Sequence, residues 1–289
     1  PPHVSHRCVV LPISMVLWLV RRAVAWWRGP SDPLGHASRV ARVAQSVRDH
    51  AEKERAAAAA AAAAAAPGDG ANITPSYRKM RTDRSVFDSH SVRNADKGSA
   101  KQVRIRDLRA ILGLDAATGI VHVEPGVTVG EITTYLLQHH LQLECCLEME
   151  DATLGGLAMA QGMTTHSHVC GLLSETVVAY EVVTGTGDVL HVTRDDAQHA
   201  DLFRALPLSH GTLGFLVGLQ LRVVPAKAWV ELTYTPCRTF EAFRAGYTRV
   251  LDQAAREDPG TPFFVEGIAF GREEAVLMEG RLVDGDGSD

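Results

Sequence analysis

The 289-residue sequence predicts an α+β fold, and three observations carry that assignment. From Val103 onward, short β-type runs alternate with helical segments. Two of the runs, Val177 to Thr184 and Val189 to Thr193, flank Gly185, Thr186, Gly187 and Asp188, which reads as an antiparallel hairpin rather than a strict βαβ repeat. A content of 46% hydrophobic and 22% charged residues belongs to a globular chain able to bury a sizeable core.

At the amino terminus, Cys8 to Val20 is uncharged but shorter than the roughly 20 residues that span a bilayer. Arg7, Arg21, Arg22 and Arg28 flank it together with Trp18, Trp26 and Trp27, so residues 1–27 are expected to form a membrane anchor, interfacial or truncated. A signal peptide would need a small-residue cleavage site, which does not follow, and a buried core helix would tolerate the Arg21–Arg22 pair poorly. Ser38 to Arg55 keeps Val40, Val43, Ala44 and Val47 at helical spacing, and Ala56 to Ala66 extends it as a helical spacer. Pro67, Gly68, Asp69 and Gly70 end that helix, within a low-complexity linker at 56–71. Asn72 to Ser99 is polar and basic and reads as a solvated surface segment.

Within the folded region, Ile120 to Glu124 is a strand turned by Pro125 and Gly126. Thr128 then caps a helix to about His139, with Val129, Ile132, Leu136 and Leu137 on its apolar face. After the hairpin come a short helix at Ala200 to Leu206, the turn Gly211, Thr212, Leu213, Gly214, and a strand from Phe215 to Val224 stopped by Pro225.

The net charge of −5 hides a gradient. Residues 1–55 carry nine basic and four acidic side chains, residues 72–109 ten and four, and residues 110–289 ten and twenty-five. A basic arm is joined to an acidic domain, and the overall acidity argues against a generic nucleic-acid binder. Cys8, Cys145, Cys146, Cys170 and Cys237 form no CxxC pair and are expected to be reduced thiols.

The densest glycine pattern is Thr153, Leu154, Gly155, Gly156, Leu157, Ala158, Met159, Ala160, Gln161, Gly162, continuing through Met163, Thr164 and Thr165. Glycine without a Cβ lets bare N–H groups approach a pyrophosphate, but no strand immediately precedes this segment and it is not GxGxxG. Spacing alone supports tight helix packing about as well as a cofactor. His166, His168 and Cys170 follow at two-residue steps without the second ligand cluster that zinc sites use, so no metal is expected. Covalent flavin attachment through His166 or His168 is not expected either, and Glu148, Glu150 and Asp151 read as a solvated acidic turn rather than general acids.

The runs VHVEPGVTVGEI (Val121 to Ile132), LEMEDATLGGLAMAQGMTTHSHVCGLLSETVVAYEVVTGTGDVL (Leu147 to Leu190), DLFRALPLSHGTLGFLVGLQLRVVPAK (Asp201 to Lys227) and FVEG (Phe264 to Gly267) closely resemble the Δ24-sterol reductase family. The resemblance implies an FAD-binding PCMH-type (vanillyl-alcohol-oxidase-like) domain of two α/β subdomains over residues 28–226, with residues 227–289 opening a substrate cap that the family continues for about as long again. It further implies non-covalent FAD met by Thr153 to Thr165, NADPH as electron donor, a sterol substrate reduced at its side-chain double bond, and an endoplasmic-reticulum membrane location with the flavin domain facing the cytosol. Pro67 to Ser85 stands where the family has a compact phosphate loop, and no residue is assigned as the proton donor. Two alternatives stay open: a flavin-dependent oxidase or dehydrogenase of the same fold acting on an alcohol or lactone, and a non-catalytic flavin-binding membrane protein.

Overall fold

The computed structural model describes Met15, Val16, Leu19, residues 31–64, 79–83 and 100–284. They fall into one unit through Asp32 and a second over Pro33–Asp289. In the first, Met15, Val16 and Leu19 are helical and exposed. The rest of the expected anchor, like the basic segment 84–99 and most of Pro67 to Ser85, lies outside the described residues. No helix among the described residues is long and apolar enough to cross a membrane.

The second unit begins with α1 (His36–Ala64), which takes in both the Val-bearing stretch and most of the alanine tract. Val40, Val43, Ala44 and Val47 are buried against Val103, Leu108, Val183 and Val217. The first half of this helix is therefore part of the domain core, and the alanine tract alone has nothing apolar to bury. β1 (Met80–Thr82) and β2 (Lys101–Val103) form a small parallel pair. β3 (Ile111–Asp115) and β4 (Ile120–Val123) follow. Next is α2 (Val129–Leu137), where Thr128 Oγ1 accepts from the Glu131 N–H and the Glu131 carboxylate accepts from the Thr128 N–H, a full capping box. Val129, Ile132 and Leu136 of α2 are buried as expected. Leu137 is 52% exposed instead, because it lies about 100° round the helix from fully buried Leu136 and so off the stripe of Val129, Ile132 and Leu136.

β5 (Leu141–Leu143), the short helices α3 (Leu154–Ala158) and α4 (Ser167–Cys170), and a 3₁₀ turn at Leu173–Thr176 lead into the hairpin β6 (Val177–Val183) and β7 (Val189–Thr193). α5 (Ala200–Ala205) and β8 (Phe215–Pro225) complete a six-stranded antiparallel sheet of order β3-β4-β8-β6-β7, with β5 also pairing to β8. Successive residues of a strand face opposite sides. In β6, Val182 joins the core with α2, α3 and α5, whereas Val183 faces α1. Two covered faces explain why the first half of β8, Leu216 to Leu219, is buried at every position, whereas its second half alternates, with Gln220 partly buried and Arg222 exposed.

After Pro225 the chain changes sheets. β9 (Trp229–Cys237), β10 (Phe264–Ala269) and β11 (Ala275–Val283) make a second antiparallel sheet of order β10-β11-β9, packed on α6 (Phe240–Ala255) around Val250, Val265 and Leu277. The change falls between 225 and 229, beside the expected boundary at 226.

Candidate functional site

The glycine-rich segment is held from below by the turn after β4. Leu154 N–H donates to Val127 O at 2.9 Å and Gly155 N–H to Pro125 O at 3.0 Å, while Val129 and Gly130 donate back to Ala152 O and Glu150 O. A Cβ on Gly155 would sit 2.3 Å from Pro125 Cβ and 2.9 Å from Pro125 O, so this glycine serves close packing. Gly162 is similar, its missing Cβ being 2.8 Å from Leu173 Cβ. Leu154, Ala158 and Met159 bury their side chains in the core, and Gly155 is buried too. The outward members are Gly156, Gln161 and Met163, which are exposed, with Thr153, Leu157, Ala160, Thr164 and Thr165 partly so. Packing and exposure thus divide the thirteen residues, and only the exposed rim can meet a ligand.

The turn at 209–214 docks beside that rim. His210 N–H donates to Met159 O at 2.8 Å, joining the turn to the end of α3. Three residues here have positive φ: Leu208 (61°), His210 (51°) and Gly211 (76°). Two of them carry side chains that disfavour this region, a local strain of the kind that concentrates at ligand sites. A Cβ on Gly211 would meet nothing nearer than Gly214 O at 4.0 Å, whereas one on Gly214 would strike Val182 Cγ1 at 2.6 Å. Gly214 is packing, and Gly211 leaves open surface. Exposed glycines at Gly156, in α3, and Gly211, on the turn tied to the end of α3 by one hydrogen bond, fit the close approach a diphosphate-bearing cofactor such as FAD requires.

The far end of the segment is fixed from the second sheet. Val265 N–H donates to Thr165 O at 2.9 Å and His168 Nε2–H to Pro262 O at 2.9 Å. The His166 ring stacks on Phe263 at 4.8 Å and meets Phe264 edge-on at 5.3 Å. Nothing in the local pattern of 153–171 signals these partners nearly a hundred residues away. Ser167 Oγ accepts from Thr164 N–H.

Of the three acidic residues before the segment, Glu148 is structural. It accepts from Thr164 Oγ1 at 2.7 Å and from Thr165, and, against the desolvation that opposes it, those hydrogen bonds hold its carboxyl below the usual value. Cys145, Cys146, Cys170 and Cys237 are free thiols, and Cys8 lies outside the described residues. Burial pushes the Cys146 thiol up.

A second polar cluster lies where α1 meets the sheet. His36 Nδ1 contacts Glu124 Oε1 at 2.8 Å and Nε2 contacts Glu181 Oε2 at 2.8 Å. Arg39 Nε also donates to Glu124 Oε1, and Ala110 N–H donates to Oε2 of this fully buried carboxylate. The hydrogen bonds to Glu124 first and Glu181 second outweigh burial and push His36 up to about 9. Neighbouring His122 is lowered, by burial and then by the His36 charge. This cluster pins α1 to the sheet.

Residues 88–193, which include all of Thr153 to Thr165, match a family described as an FAD binding domain. The Delta(24)-sterol reductase of Homo sapiens is 33% identical over 278 residues, 95% of this chain and 48% of that protein. That of Arabidopsis thaliana is 34% identical over 202 residues, 69% of this chain and 36% of its own. A shorter match, 32% over 106 residues, covers 37% of this chain and 20% of the D-arabinono-1,4-lactone oxidase of Candida glabrata. The chain spans about half the length of the curated sterol reductases it matches. The glycine rim lies inside the matched region and the turn at 209–214 beyond it; the chain carries an FAD binding domain and is similar over most of its length to Delta(24)-sterol reductases.

Proposed function

We propose that the chain is the flavin-binding part of an FAD-dependent oxidoreductase that reduces the side-chain double bond of a sterol with electrons from NADPH. The observation that carries this reading is the alignment of 95% of the chain with a sterol reductase at 33% identity. Bound FAD supplies a two-electron hydride carrier between the nucleotide and the alkene. The protein's own part is to hold it: the exposed residues Gly156, Gln161 and Met163 would meet its diphosphate side, and the His210–Gly211 turn would close one edge. Thr164 and Thr165, anchored on Glu148, fix the other end. An isolated alkene also needs a proton, delivered in a dry pocket. No residue is assigned as that proton donor. The amino-terminal apolar segment would keep the protein at the endoplasmic-reticulum membrane, where its substrate partitions.

The test incubates the FAD-loaded chain with NADPH and a sterol bearing the Δ24 double bond, following products by mass spectrometry. A sterol heavier by two hydrogens, with matching NADPH consumption, supports the reading. Rapid reoxidation by oxygen with no NADPH consumed would favour an alcohol or lactone oxidase, the reading to which the shorter match points.

A further inference from the structure

Two groups of three potential metal-ligating side chains stand out among the described residues. One, His36 with His122 and Glu181, has both nitrogens of His36 already engaged by carboxylates, which leaves no lone pair for an ion. The other is Cys145, two residues beyond β5, His166 at the start of α4, and Cys170 at its end. One ligand atom from each lies within 4.8 Å of the other two. Cys145 and His166 are 0% and 2% exposed, and Cys170 is half-buried. His168, which the sequence spacing groups with His166 and Cys170, turns away to Pro262 O. The third donor comes from the far side of the glycine segment.

Two sulfurs and an imidazole are the donor chemistry of zinc, whereas magnesium and calcium take oxygen. Tetrahedral zinc with bonds of about 2.0–2.3 Å places its ligand atoms about 3.5–3.8 Å apart, so a contraction of about 1 Å closes this site. The surroundings suit it. Gly162 O and Gly171 O lie 3.9 and 3.8 Å from Cys145 Sγ and receive weak S–H bonds that thiolates would relinquish. His166 Nδ1 is 3.3 Å from Thr164 Oγ1, itself held by Glu148, which gives the ring an outer-sphere partner. Ligation through Nε2 replaces the hydrogen bond it accepts from Cys146 N–H at 3.1 Å. Buried cysteine by itself is ordinary core: Cys237 is as enclosed, and its sulfur reaches only Thr235 O.

We propose that Cys145, His166 and Cys170 bind one zinc ion, with water in the fourth position on the half-exposed side of Cys170, tying the two ends of the segment 153–165 together. Binding releases two thiol protons: Zn²⁺ with two Cys–SH gives a zinc dithiolate and 2 H⁺, with no change of oxidation state. The ion closes a loop of roughly two dozen residues across the cofactor rim and restricts the unliganded segment, whether or not a flavin is bound.

The full chain, purified without a polyhistidine tag, is incubated with zinc sulfate, desalted and analysed for metal. The expected result is one zinc per chain, with X-ray absorption showing two sulfurs at about 2.3 Å and lighter ligands at about 2.0 Å. Cys170→Ser should weaken zinc binding at least tenfold. Cys146→Ser should retain it, because the Cys146 sulfur faces Thr133 Oγ1. Should Cys170→Ser not fold, the absorption spectrum of the unaltered chain decides alone. No retained zinc, a shell without sulfur, equal loss in Cys146→Ser, or a Cys145–Cys170 disulfide in the purified protein would each overturn the proposal.

Discussion

Gly155 and Gly156 are neighbours in sequence with opposite duties. Gly155→Ala drives a methyl to 2.3 Å from Pro125 Cβ, and Pro125 cannot withdraw because its carbonyl accepts the Gly155 N–H. A loss of about 1–3 kcal/mol is expected on urea unfolding. Gly113→Ala in β3, where a Cβ meets nothing within 4 Å, should change stability by under about 0.5 kcal/mol. His36 makes a different prediction. Its folded value, about 9, lies above the ordinary 6.5, so the stability linked to its charge is complete below about pH 6.5 and is lost as pH rises through 9. Thermal melts from pH 6 to 10 should therefore fall more steeply for the native chain than for His36→Gln, by an amount of order 2 kcal/mol after allowance for solvent screening. Equal slopes in the two proteins would contradict this assignment.

At the level of elements, α2 shows how local chemistry makes an end. Thr128→Ala removes the hydroxyl that caps the Glu131 N–H and should cost about 1 kcal/mol, read by chemical denaturation. α1 depends on tertiary contacts instead. Its alanine tract favours helix, but Val43 and Val47, both almost fully buried, carry the docking. Val47→Asp should release α1, seen as fast amide exchange over 36–55 while β6 and β8 remain protected. The capped helix, the hairpin and β8 were legible in the sequence because each is written in neighbouring residues: a Thr cap before an apolar stripe, a Gly-rich turn, a mostly apolar run ended by proline. The inward face of α1 was legible as periodicity, but its partners Val183 and Val217 were not, since nothing local encodes which sheet face a helix covers.

Over the whole molecule the same distinction governs the site. The glycine pattern located the segment but could not say which residues face a ligand, because packing against Pro125 and Leu173 uses glycine for the same physical reason that a phosphate does. The contacts of His166 with Phe263 and Phe264, and of Thr165 with Val265, join two sheets and escape any reading by spacing. These contacts make the second sheet a support of the glycine rim. β9 presents exposed Trp229, Val230, Leu232 and Tyr234. The proposed function turns on non-covalent binding of FAD at the rim of Gly156, Gln161 and Met163. It is tested most directly by titrating the chain and its Gly156→Val variant with FAD, following flavin fluorescence and the urea midpoint together. The unaltered chain should bind FAD and release it on denaturation, while Gly156→Val should bind at least tenfold more weakly with its unfolding midpoint preserved. Equal affinity in the two proteins, or no binding by the unaltered chain, would contradict it.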